Sequence, residues 1–217
     1  IISDLHIHSK YSRATSIYLD FDNLVKYSKI KGLHLLGTGD FTHPKWFAEL
    51  KLKLKEKDTG SGIYYHNDFP FVLSSELSLV YTKEKGRRIH YVLLAPDIEV
   101  VEQITSFLLT QGRIDYDGRP IFGFSSEFLV ENLMSISKDI EIIPAHAWTP
   151  WFGIFGSMSG FNSLKEAFGE KARNIHAIET GMSSNPEMNW RLSELNEKTI
   201  VSFSDAHSFH PYRIGRE

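Results

Sequence analysis

The chain has 217 residues and a mass of 24.9 kDa, a size at which folding buries roughly 70% of the unfolded surface, so one full core is expected. Hydrophobic residues make up 41% and charged residues 24%, a globular balance that excludes a disordered, collagen-like or low-complexity chain. Twenty-four Lys and Arg against 27 Asp and Glu leave a net charge of −3, which gives no global electrostatic case for nucleic acid. No stretch approaches the ~18 apolar residues of a membrane span. The first apolar stretch is broken by Asp4, His6 and His8, so it does not read as a signal peptide. Cysteine is absent, so any metal must be held by His and carboxylates. That absence is compatible with a cytoplasmic protein. The chain starts at Ile1 without Met and stops at Glu217 just after an ordered-looking motif, as expected of a piece excised from a longer protein.

In chain order, residues 1–8 read as a short strand of apolar and polar residues. Residues 21–31 carry Leu24, Val25, Tyr27 and Ile30 near helical spacing, with Gly32 as the C′ residue. Residues 33–37 form a buried strand, ending in the loop Thr38-Gly39-Asp40-Phe41-Thr42-His43-Pro44. A helix is predicted over 46–57. Its basic run Lys51 to Lys57 reads as a solvated face, with phosphate contact as the minority alternative. Residues 69–81 and 88–95 form a hairpin around Lys83-Glu84-Lys85-Gly86. Helices are predicted over 99–109, 125–136 and 186–195, and strands over 140–145, 175–178 and 199–203. A stretch rich in Gly and aromatics, 148–161, follows the strand at 140–145. Strands alternating with helices predict an α/β class in one domain over 1–217. About seven strand candidates favour a βα barrel over an open sheet.

The chemistry-bearing residues share one topological address. His6 and His8 sit at i and i+2 on the first strand, so both imidazoles face one side, with Asp4 on the same face. Asp40 follows the second strand, and His43 lies three residues on. Glu76 lies on the third strand, His90 on its hairpin partner, and His146 ends the fifth. Asp205 and His207 again stand at i and i+2, at the end of the last strand. Alone, each has a bland reading: a solvated carboxylate, or a satisfied core histidine. His34, His66, His176 and His210 are left with that reading. Together the series predicts one site at the strand ends. Imidazoles and carboxylates packed there would repel or lack partners unless divalent cations joined them. A sulfur-free donor set suits zinc, manganese or iron, with two or three ions held.

Asp4-Leu5-His6-Ile7-His8-Ser9, Gly39-Asp40, Ser75-Glu76, Ala145-His146-Ala147 and Ser204-Asp205-Ala206-His207 resemble the successive motifs of the PHP (polymerase and histidinol phosphatase) superfamily. Four longer strings begin at His6, Gly37, Ala145 and Glu179, and include Trp148-Thr149-Pro150-Trp151-Phe152-Gly153. These are similar to the endonuclease Q branch, PHP-type DNA repair enzymes of archaea and some bacteria. The resemblance runs from Asp4 to Glu217. It implies a distorted seven-stranded (β/α)7 TIM-like barrel with a phosphoesterase site of two or three divalent metals (zinc, manganese or magnesium). It also implies a following Cys-bearing zinc module that helps grip DNA. Arg13-Ala14 and Phe41 depart from the usual pattern, which carries metal-binding side chains at those places.

On this resemblance the substrate is DNA carrying a deaminated base (uracil, hypoxanthine or xanthine) or an abasic site, cut at the phosphodiester 5′ of the lesion. The implied metal ligands are His6, His8, Glu76, His90, His146, Asp205 and His207, with Asp40 and His43 beside them. Asp205, Glu76 and Arg13 are the catalytic candidates. Asp4 is expected to orient a ligand imidazole. Lys10, Arg13 and Arg216 are candidate phosphate contacts. Trp148, Trp151 and Phe152 could stack on an everted base, the alternative being a packed apolar lid. Gly153, Gly156 and Gly160 would permit close backbone approach or loop movement. Two other functions stay open: a phosphatase on a small phosphomonoester such as histidinol phosphate, and a non-catalytic DNA-binding module.

Overall fold

A computed structural model describes residues 1–216 and has a mixed α/β architecture. Its elements in chain order are β1 (Ser3–Asp4), α1 (Phe21–Lys31), β2 (Leu35–Gly37), α2 (Pro44–Lys53), β3 (Lys55–Glu56), β4 (Tyr64–His66), β5 (Phe69–Lys83) and β6 (Lys85–Ala95). There follow α3 (Ile98–Gln111), β7 (Ile121–Phe122), α4 (Ser126–Ile136), β8 (Glu141–Pro144), α5 (Leu164–Phe168), β9 (Ala177–Glu179), α6 (Pro186–Asn189) and β10 (Thr199–Val201). No helix among the described residues is long and apolar enough to cross a membrane. The chain groups into two compact units. One comprises Ile1–Glu76, Leu94–Pro120 and the described residues from Phe203 on, the other Leu77–Leu93 and Ile121–Ser202.

In the first unit β1 lies parallel to β2, with Ser3 opposite Leu35, and β2 lies parallel to β5, with Leu36 opposite Phe71. Parallel neighbours need a crossover, and α1 supplies the first. Asp20 caps α1 by accepting from the Asn23 N–H at 2.9 Å, and Gly32 closes it at φ +86°, where a side chain would be strained. Phe21, Leu24 and Val25 are its buried face. The second crossover contains α2, which opens on Pro44, where a missing N–H costs nothing. This helix stops at Lys53 rather than 57, because Lys55 and Glu56 pair antiparallel with Tyr65 and Tyr64. Trp46, fully buried, stacks on Phe21 at 4.4 Å and donates its indole N–H to the Gly39 carbonyl at 2.8 Å. The core of α1 and α2 thereby fixes the loop that carries Asp40 and His43.

In the second unit the far half of β5 turns through Glu84, at φ +62°, into β6. Ser78 of β5 also lies opposite Ile121 of β7, in parallel, while β6 pairs with β8. β9 and β10 form a parallel pair, Ala177 opposite Thr199. Residues 186–195 were expected to be one helix. α6 ends at Asn189, whose amide side chain donates to the Asn185 carbonyl at 2.8 Å and so competes with the helical ladder. Leu192 is extended before the short 3₁₀ turn Ser193–Leu195. Among the described residues the strand pairings do not close into a single barrel.

Candidate metal centre

The geometry starts from one isolated parallel bridge, Ile7 opposite Ala206, reinforced by the His8 N–H donating to the Ala206 carbonyl at 3.0 Å. Both bridge residues are apolar and buried. Their neighbours at ±1 are His6 and His8 on one segment, Asp205 and His207 on the other. Alternation along extended chain sends His6 and His8 to the opposite side from Ile7, their rings 5.7 Å apart, while Asp205 reaches the same side from a left-handed turn at φ +48°. Two i, i+2 pairs are thus laid side by side, and Glu76 of β5 joins them.

His6, His8, Glu76 and Asp205 each offer a ligand atom within 4.8 Å of all the others. His8 Nε2 lies 3.0 Å from Asp205 Oδ1 and 3.3 Å from Glu76 Oε2. His6 Nε2 is 3.4 Å from an oxygen of each carboxylate. Two carboxylates and two imidazoles, three of these four groups almost wholly buried, form a nitrogen–oxygen donor set that a divalent cation would hold together. These residues fit such an ion.

Asp40 stands behind His8. Its Oδ1 lies 3.0 Å from His8 Nδ1, and its Oδ2 accepts from the Ser9 N–H at 2.6 Å, the Ser9 hydroxyl at 2.7 Å and the Ser12 hydroxyl at 2.9 Å. A proton held at Nδ1 leaves Nε2 as the donor atom toward the cluster. Asp40 is therefore a carboxylate that orients an imidazole, a role of the kind expected of Asp4. Asp4 accepts from the Ser204 N–H at 3.0 Å, from the Ser204 hydroxyl and from the Gly215 N–H at 2.7 Å. It anchors the segment that bears Asp205. Asp40 and Asp205 both adopt left-handed backbone, φ +47° and +48°, strain that non-glycine residues accept mainly at functional turns. Gly118 packs so closely on the Asp40 carboxylate and the Ser12 hydroxyl that a methyl group could not fit there.

The electrostatics are those of tightly paired buried imidazoles and carboxylates. Burial alone would push the His8 imidazolium down, but Asp40, Asp205 and Glu76 outweigh it, and its proton is held well above the ordinary 6.5. Burial would raise the carboxyls of Asp40 and Asp205, yet His8 holds the first below its usual value, and His6 with His8 holds the second well below. Arg119 donates from Nη1 to Glu76 Oε2 at 3.0 Å, and its charge is held against the burial that disfavours it mainly by that carboxylate. Sequence reasoning missed Arg119. It lies in Asp115-Tyr116-Asp117-Gly118-Arg119-Pro120, a string without periodicity.

Other expected residues are placed differently. The His207 ring lies 4.6 Å from that of His8 with the planes tilted at 57°, and its Nδ1 lies 2.8 Å from the Asp205 carbonyl. Burial and the neighbouring His8 charge lower its pKa. It borders the four-residue group without joining it. His43 stacks on Tyr11 at 4.7 Å and belongs to no ligand group among the described residues. Lys10 is paired with Glu49 at 2.9 Å. Arg13 is 71% exposed, with Nε 3.4 Å from Asp117, so Arg119 rather than Arg13 touches the cluster. Arg216 is exposed and lines a cavity with Asp205 and His207. His34, His66, His176 and His210 join no ligand group among the described residues.

In the second unit His90 Nδ1 and His146 Nε2 face one another at 3.3 Å. The His146 N–H donates to Glu179 Oε2 at 2.6 Å, a partner the sequence did not suggest. Phe152 packs 4.3 Å from the His90 ring. Trp148 donates its indole N–H to Asn189 Oδ1 at 2.8 Å and tilts against Phe155 at 4.9 Å. Trp151 is 44% exposed, with Arg88 4.9 Å above its ring. Gly153, Gly156 and Gly160 lie against the backbone of residues 147–156 with no room for a side chain, which favours close approach as their role.

No family model matches the chain. Over 148 residues, 68% of its length, it is 33% identical to the uncharacterized protein MJ0043 of Methanocaldococcus jannaschii, of which it covers 16%. Over its whole length it is 30% identical to the uncharacterized protein YqxK of Bacillus subtilis, of which it covers 57%. Two solved structures match 99% of the chain at 33% identity. One is the lesion-specific endonuclease PfuEndoQ from Pyrococcus furiosus (TM-score 0.87), of which this chain covers 50%. The other is endonuclease Q in complex with a 27-mer duplex substrate with an abasic lesion at the active site (TM-score 0.88), covered to 51%. PsfC from Pseudomonas syringae, at 17% identity and a TM-score of 0.58, shares the fold over 95% of this chain and 76% of its own. The chain spans about half the length of these endonuclease Q chains. In sequence and in fold, along nearly its whole extent, it resembles endonuclease Q.

Proposed function

We propose that this chain is the catalytic PHP domain of a cytoplasmic, metal-dependent DNA repair endonuclease. Its substrate is DNA with a deaminated base or an abasic site, and it hydrolyses the phosphodiester 5′ of the lesion. The domain, residues 1–217, is read as the distorted seven-stranded TIM-like barrel of the PHP type, left open among the described strand pairings. The observation that carries the reading is the four-residue cluster on the Ile7–Ala206 bridge. It lies in a chain one-third identical to an endonuclease Q whose structure holds an abasic duplex at its active site.

His6, His8, Glu76 and Asp205 are the inner ligands, with His207, Asp40 and His43 around them; in the second unit His90 and His146 form an imidazole pair of their own. That four-residue cluster would hold divalent cations, zinc, manganese or magnesium, which would supply Lewis acidity toward a phosphodiester and an activated water at neutral pH. Asp40 keeps a proton on His8 Nδ1 and so presents Nε2. Glu76 and Asp205 supply the negative charge that holds the site together. Arg119 compensates Glu76 and adds a fixed guanidinium where phosphate charge develops. Lys10, Arg13 and Arg216 meet the strand backbone. Trp148, Trp151 and Phe152 border the base, Trp151 with the most open face.

The test supplies manganese or magnesium and compares a deoxyuridine duplex, an abasic duplex, undamaged DNA and histidinol phosphate. Nicking confined to the lesion duplexes is expected, with turnover abolished in Asp205→Ala. Phosphate release from histidinol phosphate alone would replace this reading by the small-substrate phosphatase.

A further inference from the structure

Beside Asp205 and His207 lies a cavity of about 510 Å³, also lined by Ser208, Tyr212, Arg213 and Arg216. Its volume is that of a small-ligand site, and its lining combines two cations, hydroxyls and an aromatic ring. Among the described residues Arg213 and Arg216 form no ion pair, and both are exposed. Tyr212 is 67% exposed. One of its faces rests on His210, with centroids 5.2 Å apart and planes at 6°, and the Arg213 guanidinium lies 5.8 Å from its centroid.

This wall is built rather than loose. Between the two arginines, Ile214 is fully buried and the Gly215 N–H donates to Asp4 Oδ2. The backbone N–H groups of Arg213 and Ile214 both donate to the His210 carbonyl, at 2.7 and 3.1 Å. Lys31 donates to the Pro211 carbonyl at 2.9 Å. Gly215 stands at φ +53° against the Leu33 side chain. The Asp4 carboxylate that fixes Ser204, next to Asp205, thus also fixes the dipeptide that spaces the two guanidinium groups.

We infer that this cavity is a nucleotide subsite. It takes one nucleotide of a DNA strand, the phosphate between Arg213 and Arg216 and the base against Tyr212. The inference rests on the nuclease reading and deepens it by assigning the strand's anchoring point. Stacking on a tyrosine face tolerates any base, and Arg–phosphate contact carries no sequence information. The subsite therefore adds affinity independent of sequence, beside a centre that reads the lesion. It also supplies local positive charge in a chain whose net charge is −3.

The experiment measures binding of a fluorescein-labelled abasic duplex by anisotropy, in EDTA, across a salt series. Each phosphate neutralised by a cation contributes about 0.9 to the slope of log K against log[salt]. The double variant R213Q/R216Q is expected to lower that slope by roughly 1.8. Tyr212→Ala is expected to weaken binding about 5- to 150-fold, the range of one base stack, with the slope unchanged. Metal content should stay at the wild-type level in both, which separates a lost contact from a damaged centre. An unchanged slope in R213Q/R216Q, while the wild-type chain still nicks lesion DNA with manganese, would overturn the subsite and leave the nuclease reading standing. A wild-type chain that neither nicks nor binds would overturn both.

Discussion

Asp40 shows how one buried carboxylate can organise a site without being part of its inner group. It accepts from His8, Ser9 and Ser12 at once, from a left-handed turn closed by Gly118. Replacing it by Asn keeps the shape but removes the charge that fixes the His8 proton on Nδ1. Metal affinity in Asp40→Asn should fall by about 10- to 100-fold, the usual loss for a partner that orients a ligand imidazole. Competition with a chelator of known affinity checks this, and wild-type affinity would remove Asp40 from that role. The residue scale is also where the sequence was easiest to read. His6-x-His8 is legible because alternation in extended chain is strict over three residues; Asp205-x-His207 is visible as a pair, but a left-handed turn at Asp205 is what places its carboxylate. Arg119 was not legible, because a guanidinium in an irregular loop gains its meaning only from Glu76, 43 residues away.

At the scale of elements, helices with strong ends were the readable ones. α1 matches its predicted range because Asp20 and Gly32 close it chemically at both ends. The helix predicted over 46–57 ran too far because the strand pairing that ends it, Lys55 with Tyr65, is decided by residues beyond the window. β3 and β7 are two residues each, too short to show a period. α2 has a second task besides packing, since Trp46 ties it to Phe21 and to the Gly39 carbonyl. Trp46→Ala should cost about 3–5 kcal/mol, the range for a buried aromatic truncated to a methyl. A urea titration followed by circular dichroism reads that loss. The same variant should loosen the Asp40 loop and weaken metal binding. A variant destabilised to this extent but binding metal normally would show that the loop holds its shape without the indole.

For the molecule as a whole, the buried cluster makes metal, protons and stability one linked system. In the metal-free protein the raised His8 pKa contributes stability that is fully present below the unfolded value of 6.5 and is lost as pH rises through the folded value. Asp40 and Asp205, held low, contribute stability that is present above their unfolded value of 3.8 and is lost as pH falls through their folded values. The metal-free protein should therefore be most stable between these limits and weaken toward alkaline pH. A bound cation works the other way, because imidazole must give up its proton before its nitrogen can coordinate. At a free metal concentration about 100 times Kd the gain is about 2.7 kcal/mol, or roughly 5–10 °C in Tm for a chain of this size. That shift should grow as pH rises from 6 to 8.5, as the metal replaces the proton on His8. Thermal melts with and without manganese across this range provide the measurement, and His8→Ala should abolish most of the shift at every pH. A metal-induced shift that is the same at pH 6 and pH 8.5, or that survives His8→Ala, would mean that the ion binds away from the Ile7–Ala206 bridge.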